Sequence, residues 1–159
     1  MLSGGTLALL GGVLAATFSG IGSAKGVRLV GSAAAGALTE KPELFGKLVI
    51  LQALPGTQGI YGLLVWFFIM QFAGFFSGAA ANLSLAQGML YFLACMPMTV
   101  IGYLSAIHQA RVAADGVHLV AKNPGDQSKA IILSAMVETY AIFALLVTVL
   151  SIIMINGLF

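Results

Sequence analysis

The sequence predicts an all-α integral membrane protein whose four transmembrane helices form two tandem hairpins. Of its 159 residues, 60% are apolar and only 8% are charged, whereas an average soluble domain is roughly 25% charged. So few charges cannot cover the surface of a water-soluble monomer. Seven Lys and Arg stand against five Asp and Glu, so the chain has no basic patch of the kind that binds nucleic acid. Its 20 glycines favour helices that pack closely in lipid, because small side chains let two backbones approach.

Four apolar stretches are each long enough to cross a bilayer core, which takes about 20 residues. They cover approximately residues 6–38, 48–76, 83–121 and 130–159. We therefore expect a first helical hairpin over residues 1–80 and a second over residues 81–159.

The connections between these stretches differ in charge. Lys41–Lys47 and Lys122–Lys129 are charged, whereas residues 77–82 between the hairpins carry no charge. All seven cationic residues lie on the side of the two charged loops. The positive-inside rule then predicts a multi-pass protein of the cell membrane with both loops in the cytoplasm and both termini outside.

The second half of the sequence repeats the first. When Pro42 is placed on Pro124, Lys47 falls on Lys129, and many apolar positions of the second stretch fall on the fourth. This is a parallel repeat of one hairpin, and such repeats often stack around a common axis. The same shift places Gly56 on Glu138, so one hairpin has a glycine where its copy has an acid.

Glu138 is the most informative residue of the sequence. It lies nine residues past Lys129, which is about 13 Å along a helix and well inside the hydrocarbon. A carboxylate at that depth costs several kcal/mol unless it is neutralised or partnered, so it marks a functional site.

Three more polar side chains reach a comparable depth, from two other helices: Thr57, Gln58 and Gln109. All of them carry oxygen, and oxygen ligands with a single negative charge suit a hard monovalent cation, whereas a transition metal would call for His or Cys. A plain proton carrier would need only the carboxyl and one acceptor. The four side chains together therefore indicate a cation site.

Pro55 interrupts the second helix just before this polar pair. Proline lacks an N–H group and clashes with the preceding turn, so a backbone carbonyl near it is left free to face an ion. The residues alone allow either Leu51 or Leu54 to supply that carbonyl. Tyr61 lies one turn further on the same helix face, where its hydroxyl can hold the carboxylate of Glu138.

Small residues follow one face of the first helix at spacings of three and four. We interpret them as a wall that allows close helix contact within an oligomeric ring. They are Gly12, Ala15, Ser19, Gly22 and Gly26.

The sequence resembles the proteolipid (K or c) subunits of bacterial V-type rotary ATPases, and within that family the sodium-pumping branch. The resemblance covers nearly the whole chain. Its most specific parts are Leu54–Gly59, Gln109 and Met136–Tyr140, with the glycine-rich Phe18–Gly26 as a weaker addition.

The resemblance implies a homo-oligomeric membrane ring that connects to central-stalk subunits and turns against a stator subunit that bears an arginine. It implies that each chain carries one Na⁺, held by the Leu54 carbonyl and the side chains of Thr57, Gln58, Gln109 and Glu138. Tyr61 would hydrogen-bond the glutamate. ATP would be hydrolysed elsewhere in the complex, and this chain has no Gly-rich nucleotide loop followed by Lys and Ser or Thr.

Two other interpretations share part of this pattern. A proton-translocating rotor ring would use the same glutamate without needing the two glutamines. A small four-helix cation or drug transporter would need an aromatic cage beside the acid, but Trp66 and Phe67 lie more than two turns from Thr57.

Overall fold

A computed structural model of the chain describes residues 3–158. Five α-helices make up most of this part: α1 (Gly4–Glu40), α2 (Phe45–Ala53), α3 (Thr57–Phe72), α4 (Leu85–Lys122) and α5 (Gln127–Leu158). Because α2 and α3 follow each other in one span, the helices provide four stretches that are long and apolar enough to cross a membrane. The all-helical fold with four such stretches is confirmed.

The helix ends show why the chain divides where it does. Ser3 caps α1, and Ser84 caps α4 in a capping box with Gln87, in which each side chain accepts from the other residue's backbone N–H. Short 3-10 turns at Pro42–Leu44 and Pro124–Asp126 join the helices of each hairpin. The expected division after residue 80 falls inside the 3-10 turn Ala79–Asn82.

Helix α3 ends at Phe72, four residues before the end expected from hydropathy. Gly74 takes a left-handed φ of 79°, and the Phe75 N–H donates to the Met70 carbonyl over 3.0 Å. This is the hydrogen bond of a Schellman motif, which closes a helix at a glycine whatever the apolarity of the residues that follow. Helices α2 and α5 begin at Phe45 and Gln127, three residues before the expected positions 48 and 130.

The bundle is built around the pairing of α1 with α4, with α3 packed behind α1 and α5 behind α4. Gly22 and Gly26 of the small-residue stripe lie in this pairing, whereas Gly12 faces Ile69 of α3. A Cβ atom added to Gly22 would lie 2.9 Å from the Tyr103 Cα, and one added to Gly26 would lie 3.0 Å from the Ala106 carbonyl oxygen. The close contact that the stripe makes in this structure joins the two hairpins of one chain.

Large apolar side chains cover much of the outside of α3 and α5. Ile60 is 59% exposed, Met136 is 62% exposed and Phe143 is 59% exposed. A contiguous apolar exterior of this kind fits lipid or further copies of the chain rather than water.

Candidate functional site

The break between α2 and α3 positions the first polar groups of the site. Pro55 lies in a single 3-10 turn, Leu54–Gly56, that interrupts the span. The Thr57 hydroxyl donates to the Leu54 carbonyl oxygen over 3.0 Å. The turn therefore places a backbone oxygen and a hydroxyl oxygen side by side in the middle of the span.

Two glutamines connect this turn to the opposite hairpin. The Gln58 Nε2 donates to the Gln109 Oε1 over 2.6 Å, and the Gln109 Nε2 donates to the Glu138 Oε2 over 3.2 Å. Both glutamine side chains are completely buried. Because buried amides must be hydrogen-bonded to be tolerated, each glutamine is held in place by the other.

The carboxyl of Glu138 closes the site on its outer side. The Tyr61 hydroxyl donates to its Oε1 over 2.7 Å, so the two carboxylate oxygens accept from two different helices. Glu138 and Tyr61 are only partly buried, whereas the glutamines lie fully inside. The two amides therefore form the buried inner side of the site, and the carboxyl lies at its more exposed edge, where α3 meets α5.

All of the predicted side chains meet in this one layer, although their positions in the sequence are far apart. Thr57, Gln58 and Tyr61 come from α3, Gln109 from α4 and Glu138 from α5. The two residues after the glutamate do not join them. The Thr139 hydroxyl turns back to the Met136 carbonyl over 2.7 Å, and Tyr140 is 65% exposed.

Three serines that the sequence does not single out as site residues support the site. The Ser105 Oγ accepts from the Gln58 Nε2 over 3.3 Å and donates to the Val137 carbonyl over 3.2 Å. The Ser134 Oγ donates to the Gln109 carbonyl over 3.5 Å, and the Ser23 Oγ accepts from the Gly59 N–H over 2.8 Å. For Ser105 a signal existed, because it lies one helical turn before Gln109 on the same face.

The arrangement has the chemistry of a site for one small cation. It offers neutral oxygens from a carbonyl, a hydroxyl and amides, together with a single carboxylate. A bound monovalent cation would cancel that charge, whereas an empty ionised site would carry an uncompensated anion at membrane depth. A carboxyl at this depth with a hydroxyl and an amide as its partners, and further neutral oxygens close by, has the chemistry of an ion-binding group.

A chain of two stacked helical hairpins with one carboxyl site in its apolar middle is a membrane proteolipid. The family model of the ATP synthase C subunits matches the sequence twice, over residues 10–69 and 92–151. The chain belongs to this family, and the two matched segments are offset by the same interval as Pro42 and Pro124 of the internal repeat.

Two curated relatives match most of the chain. The V-type sodium ATPase subunit K of Enterococcus hirae is 44% identical over 147 residues, which is 92% of this chain and 90% of the relative. The A-type ATP synthase subunit K of Methanocaldococcus jannaschii is 34% identical over 151 residues, which is 91% of this chain and 60% of that relative.

Proposed function

We propose that this chain is the rotor-ring subunit of a V-type ATPase and carries Na⁺ at Glu138. The hydrogen-bonded series of Gln58, Gln109 and Glu138 supports this proposal most directly. A proton carrier has no need of a buried amide on its carboxyl and a second buried amide behind it, whereas Na⁺ prefers several neutral oxygens around one charge. The similarity to a sodium ATPase subunit K points the same way.

The proposed ligands are the Leu54 carbonyl oxygen and the side chains of Thr57, Gln58, Gln109 and Glu138. In the structure Gln109 presents its nitrogen to the carboxylate and its oxygen to Gln58. A half-turn of the Gln109 amide about its last side-chain bond would exchange these atoms and direct the oxygen to a cation beside Glu138. The Gln58 amide would have to turn or move with it, because its nitrogen donates to the Gln109 oxygen here and two amide nitrogens cannot hydrogen-bond to each other. Tyr61 would keep its hydrogen bond to the other carboxylate oxygen and so position the carboxylate.

The charge of the site then controls when the ring can turn. With Na⁺ bound, Glu138 is neutralised and the site can face lipid. Without the ion, the carboxylate pays the cost of a charge in hydrocarbon unless a cation faces it, and an arginine on a stator subunit fits that role. Each site must therefore load before it turns from the stator into lipid.

The rest of the complex would supply what this chain lacks. Further copies of the chain would complete the ring in the cell membrane, and central-stalk subunits would join it to the subunits that hydrolyse or make ATP. The chain itself would translocate the ion and catalyse no reaction.

Sodium should protect Glu138 from a carbodiimide, which reacts with a protonated carboxyl. Bound Na⁺ keeps the carboxylate ionised, so labelling of the purified ring should fall as sodium rises at fixed pH and ionic strength. Protection should weaken at lower pH, because protons and Na⁺ compete for one carboxylate. Mass spectrometry of the labelled protein measures the effect. Equal labelling rates in sodium and in potassium would contradict the sodium assignment and favour a proton-carrying ring.

Gln109→Ala should raise the sodium concentration that gives half-protection by about tenfold or more. A hydrogen bond to a charged group is worth about 1.5–3 kcal/mol, and each 1.4 kcal/mol corresponds to roughly a factor of ten in affinity. Gln71→Ala is the matched control, since it makes the same change on the exposed side of α3. An unchanged half-protection concentration in Gln109→Ala would remove Gln109 from the ligand set.

The charged loops should react with an impermeant thiol reagent only after the cells are opened. Cysteines would be placed at Ser77 in the uncharged connection and at Gly125 in the second charged loop, both of which are exposed. The background is Cys95→Ala, although the native Cys95 is fully buried. Ser77→Cys should react on intact cells and Gly125→Cys should not. The reverse pattern would overturn the proposed orientation.

A further inference from the structure

Gln58 is fully buried, so every polar atom of its side chain needs a partner inside the protein. An amide group offers two N–H hydrogens and one carbonyl oxygen. The Gln58 Nε2 donates to the Gln109 Oε1 over 2.6 Å and to the Ser105 Oγ over 3.3 Å. Both of its hydrogens are therefore used, and the nitrogen side of the amide faces α4.

The oxygen side of the same amide faces the break between α2 and α3. The Gln58 Oε1 lies 3.4 Å from the Thr57 Oγ1, which itself lies 3.0 Å from the Leu54 carbonyl oxygen. Three oxygens from one short segment thus lie next to one another. They can serve a cation together only while the Gln58 amide keeps this orientation, because a half-turn would replace its oxygen by N–H hydrogens.

The hydroxyl of Ser105 acts as an acceptor toward Gln58, because its single hydrogen is used elsewhere. The Ser105 Oγ donates to the Val137 carbonyl over 3.2 Å, and a carbonyl oxygen can only accept. Toward Gln58 the serine therefore offers lone pairs, which hold the nitrogen of an amide. If the Gln58 oxygen took the place of the nitrogen, two acceptors would face each other with no hydrogen between them.

This use of the hydroxyl differs from the common one in a helix. A serine or threonine inside a helix commonly donates to the carbonyl four residues before it, as Thr99 of the same helix does to Cys95 over 2.9 Å. The buried Ser105 instead joins α3 to α5. It thereby connects the helix that carries the Gln58 amide with the helix that carries the carboxyl of the site.

We propose that Ser105 is a positioning residue for the sodium site, which keeps the Gln58 Oε1 directed at the place where the ion binds. The proposal rests on the function proposed above and adds how the ligand atom of this amide is selected. Ser105 holds the nitrogen of the amide, so it acts on the ion only through Gln58.

The role of Ser105 becomes larger when the site is loaded. Once the Gln109 amide has turned its oxygen to the cation, the Gln58 nitrogen loses the acceptor that Gln109 provides in the structure. Of its two acceptors, Ser105 is the one that remains, so the Gln58 amide shifts away from Gln109 without turning. Removal of the serine should therefore weaken sodium binding more than it disturbs the empty site.

The same contact favours Na⁺ over a proton at this site. The carboxyl of Glu138 accepts from Tyr61 and Gln109 in the structure. A proton on Glu138 makes use of the carboxyl alone, whereas a cation also needs the neutral oxygens around it. The orientation of the Gln58 amide therefore matters for the ion and not for the proton that competes with it.

Ser105→Ala should raise the sodium concentration that half-protects Glu138 from the carbodiimide by about fivefold. This factor corresponds to one neutral hydrogen bond of about 1 kcal/mol. The labelling rate without sodium, at the same pH, should stay unchanged, because a proton on Glu138 does not depend on Gln58. Mass spectrometry of the purified, labelled ring measures both quantities. A general loosening of the helices would alter both of them.

Ser19→Ala is the matched control. Ser19 is fully buried and its hydroxyl donates to the Met98 carbonyl over 3.1 Å, so the change deletes the same kind of bond between two helices and should leave protection unchanged. Ser105→Thr keeps the hydroxyl and should require the same sodium concentration as the unaltered chain. Ser105→Cys replaces the oxygen by a weak acceptor, so it should behave as Ser105→Ala does. It gives the same test if the Ala variant does not assemble.

A double variant tests whether the serine acts through Gln58. Gln58→Met keeps the approximate size of the side chain but removes the amide, so no oxygen is left to direct. Gln58→Met should need more sodium for half-protection than the unaltered chain, and the addition of Ser105→Ala should cause no further rise. Two changes whose effects do not add act on a shared interaction. A further rise of about fivefold would show that Ser105 acts independently of Gln58 and would overturn the proposal.

The outcomes separate this inference from the proposed function. If sodium protects the unaltered ring, and protects Ser105→Ala and Ser105→Cys at the same concentration, the positioning role is refuted and the proposed function stands. If Ser19→Ala weakens protection as much as Ser105→Ala, the effect comes from lost packing and the positioning role is again refuted. Equal labelling of the unaltered ring in sodium and in potassium would instead contradict the proposed function, and the positioning role with it.

Discussion

Glu138→Gln is expected to abolish both carbodiimide labelling and sodium transport while the ring still assembles. The substitution keeps the size of the side chain and its place beside Tyr61 and Gln109, so the packing is preserved. It removes the only charge of the site, and a cation then has no counter-charge in a medium of low dielectric constant. Losing about 3 kcal/mol of charge-assisted binding corresponds to roughly a hundredfold weaker binding or more.

Reconstituted ²²Na⁺ uptake and mass spectrometry of the labelled protein measure this prediction. Glu43→Gln is the control, since it makes the same change at an exposed position of the first charged loop. It should leave both labelling and uptake unchanged. Sodium uptake above background in Glu138→Gln rings would show that the ion follows a path that does not include this carboxyl.

Gly22→Leu should destabilise the folded subunit itself. A Cβ atom on Gly22 would lie 2.8 Å from the Tyr103 carbonyl oxygen and 2.9 Å from its Cα. These are backbone atoms, so α1 and α4 must separate to make room. Overpacking a joint of this kind typically costs about 1–3 kcal/mol, and more when the backbone must move.

The thermal unfolding of the purified protein in detergent, followed by circular dichroism, measures this effect. Gly22→Leu should unfold at a lower temperature than the unaltered protein. Gly46→Leu should unfold at the same temperature as it, because an added Cβ atom at Gly46 meets no atom of residues 3–158 within 4 Å. If Gly22→Leu unfolds normally, the close approach of α1 and α4 is not what holds the two hairpins together.

Much of the site was predictable because the membrane makes polar residues informative. Glu138 lies in an apolar stretch where an unpartnered charge costs several kcal/mol, so its place in the sequence alone marks it. Counting residues from the charged loops placed Thr57, Gln58 and Gln109 at a similar depth, since the rise of a helix per residue is constant. The structure brings these side chains together.

The supporting residues were less visible in the sequence. Ser105, Ser134 and Ser23 are small polar residues of a kind that apolar helices tolerate, and their depth does not distinguish them from other serines. Their role depends on which backbone or amide group lies opposite, as Gln58 does for Ser105. The end of α3 at Gly74 was missed for a related reason, because a hydropathy average does not register the backbone conformation of one glycine.

The sequence by itself determined that this is a membrane protein of four apolar spans, built from one repeated hairpin with a single acid at mid-membrane. These properties follow from the free energy of transferring each side chain from water into the hydrocarbon core and from the constant rise of a helix per residue. Both depend only on the order of the residues in the sequence. Only the tertiary structure decided which helix faces which. The rotation of each helix and the distance between two helix axes depend on all the side chains in a contact at once. For that reason the small residues of α1 predicted a close contact, but the structure was needed to show that α4 of the same chain makes it.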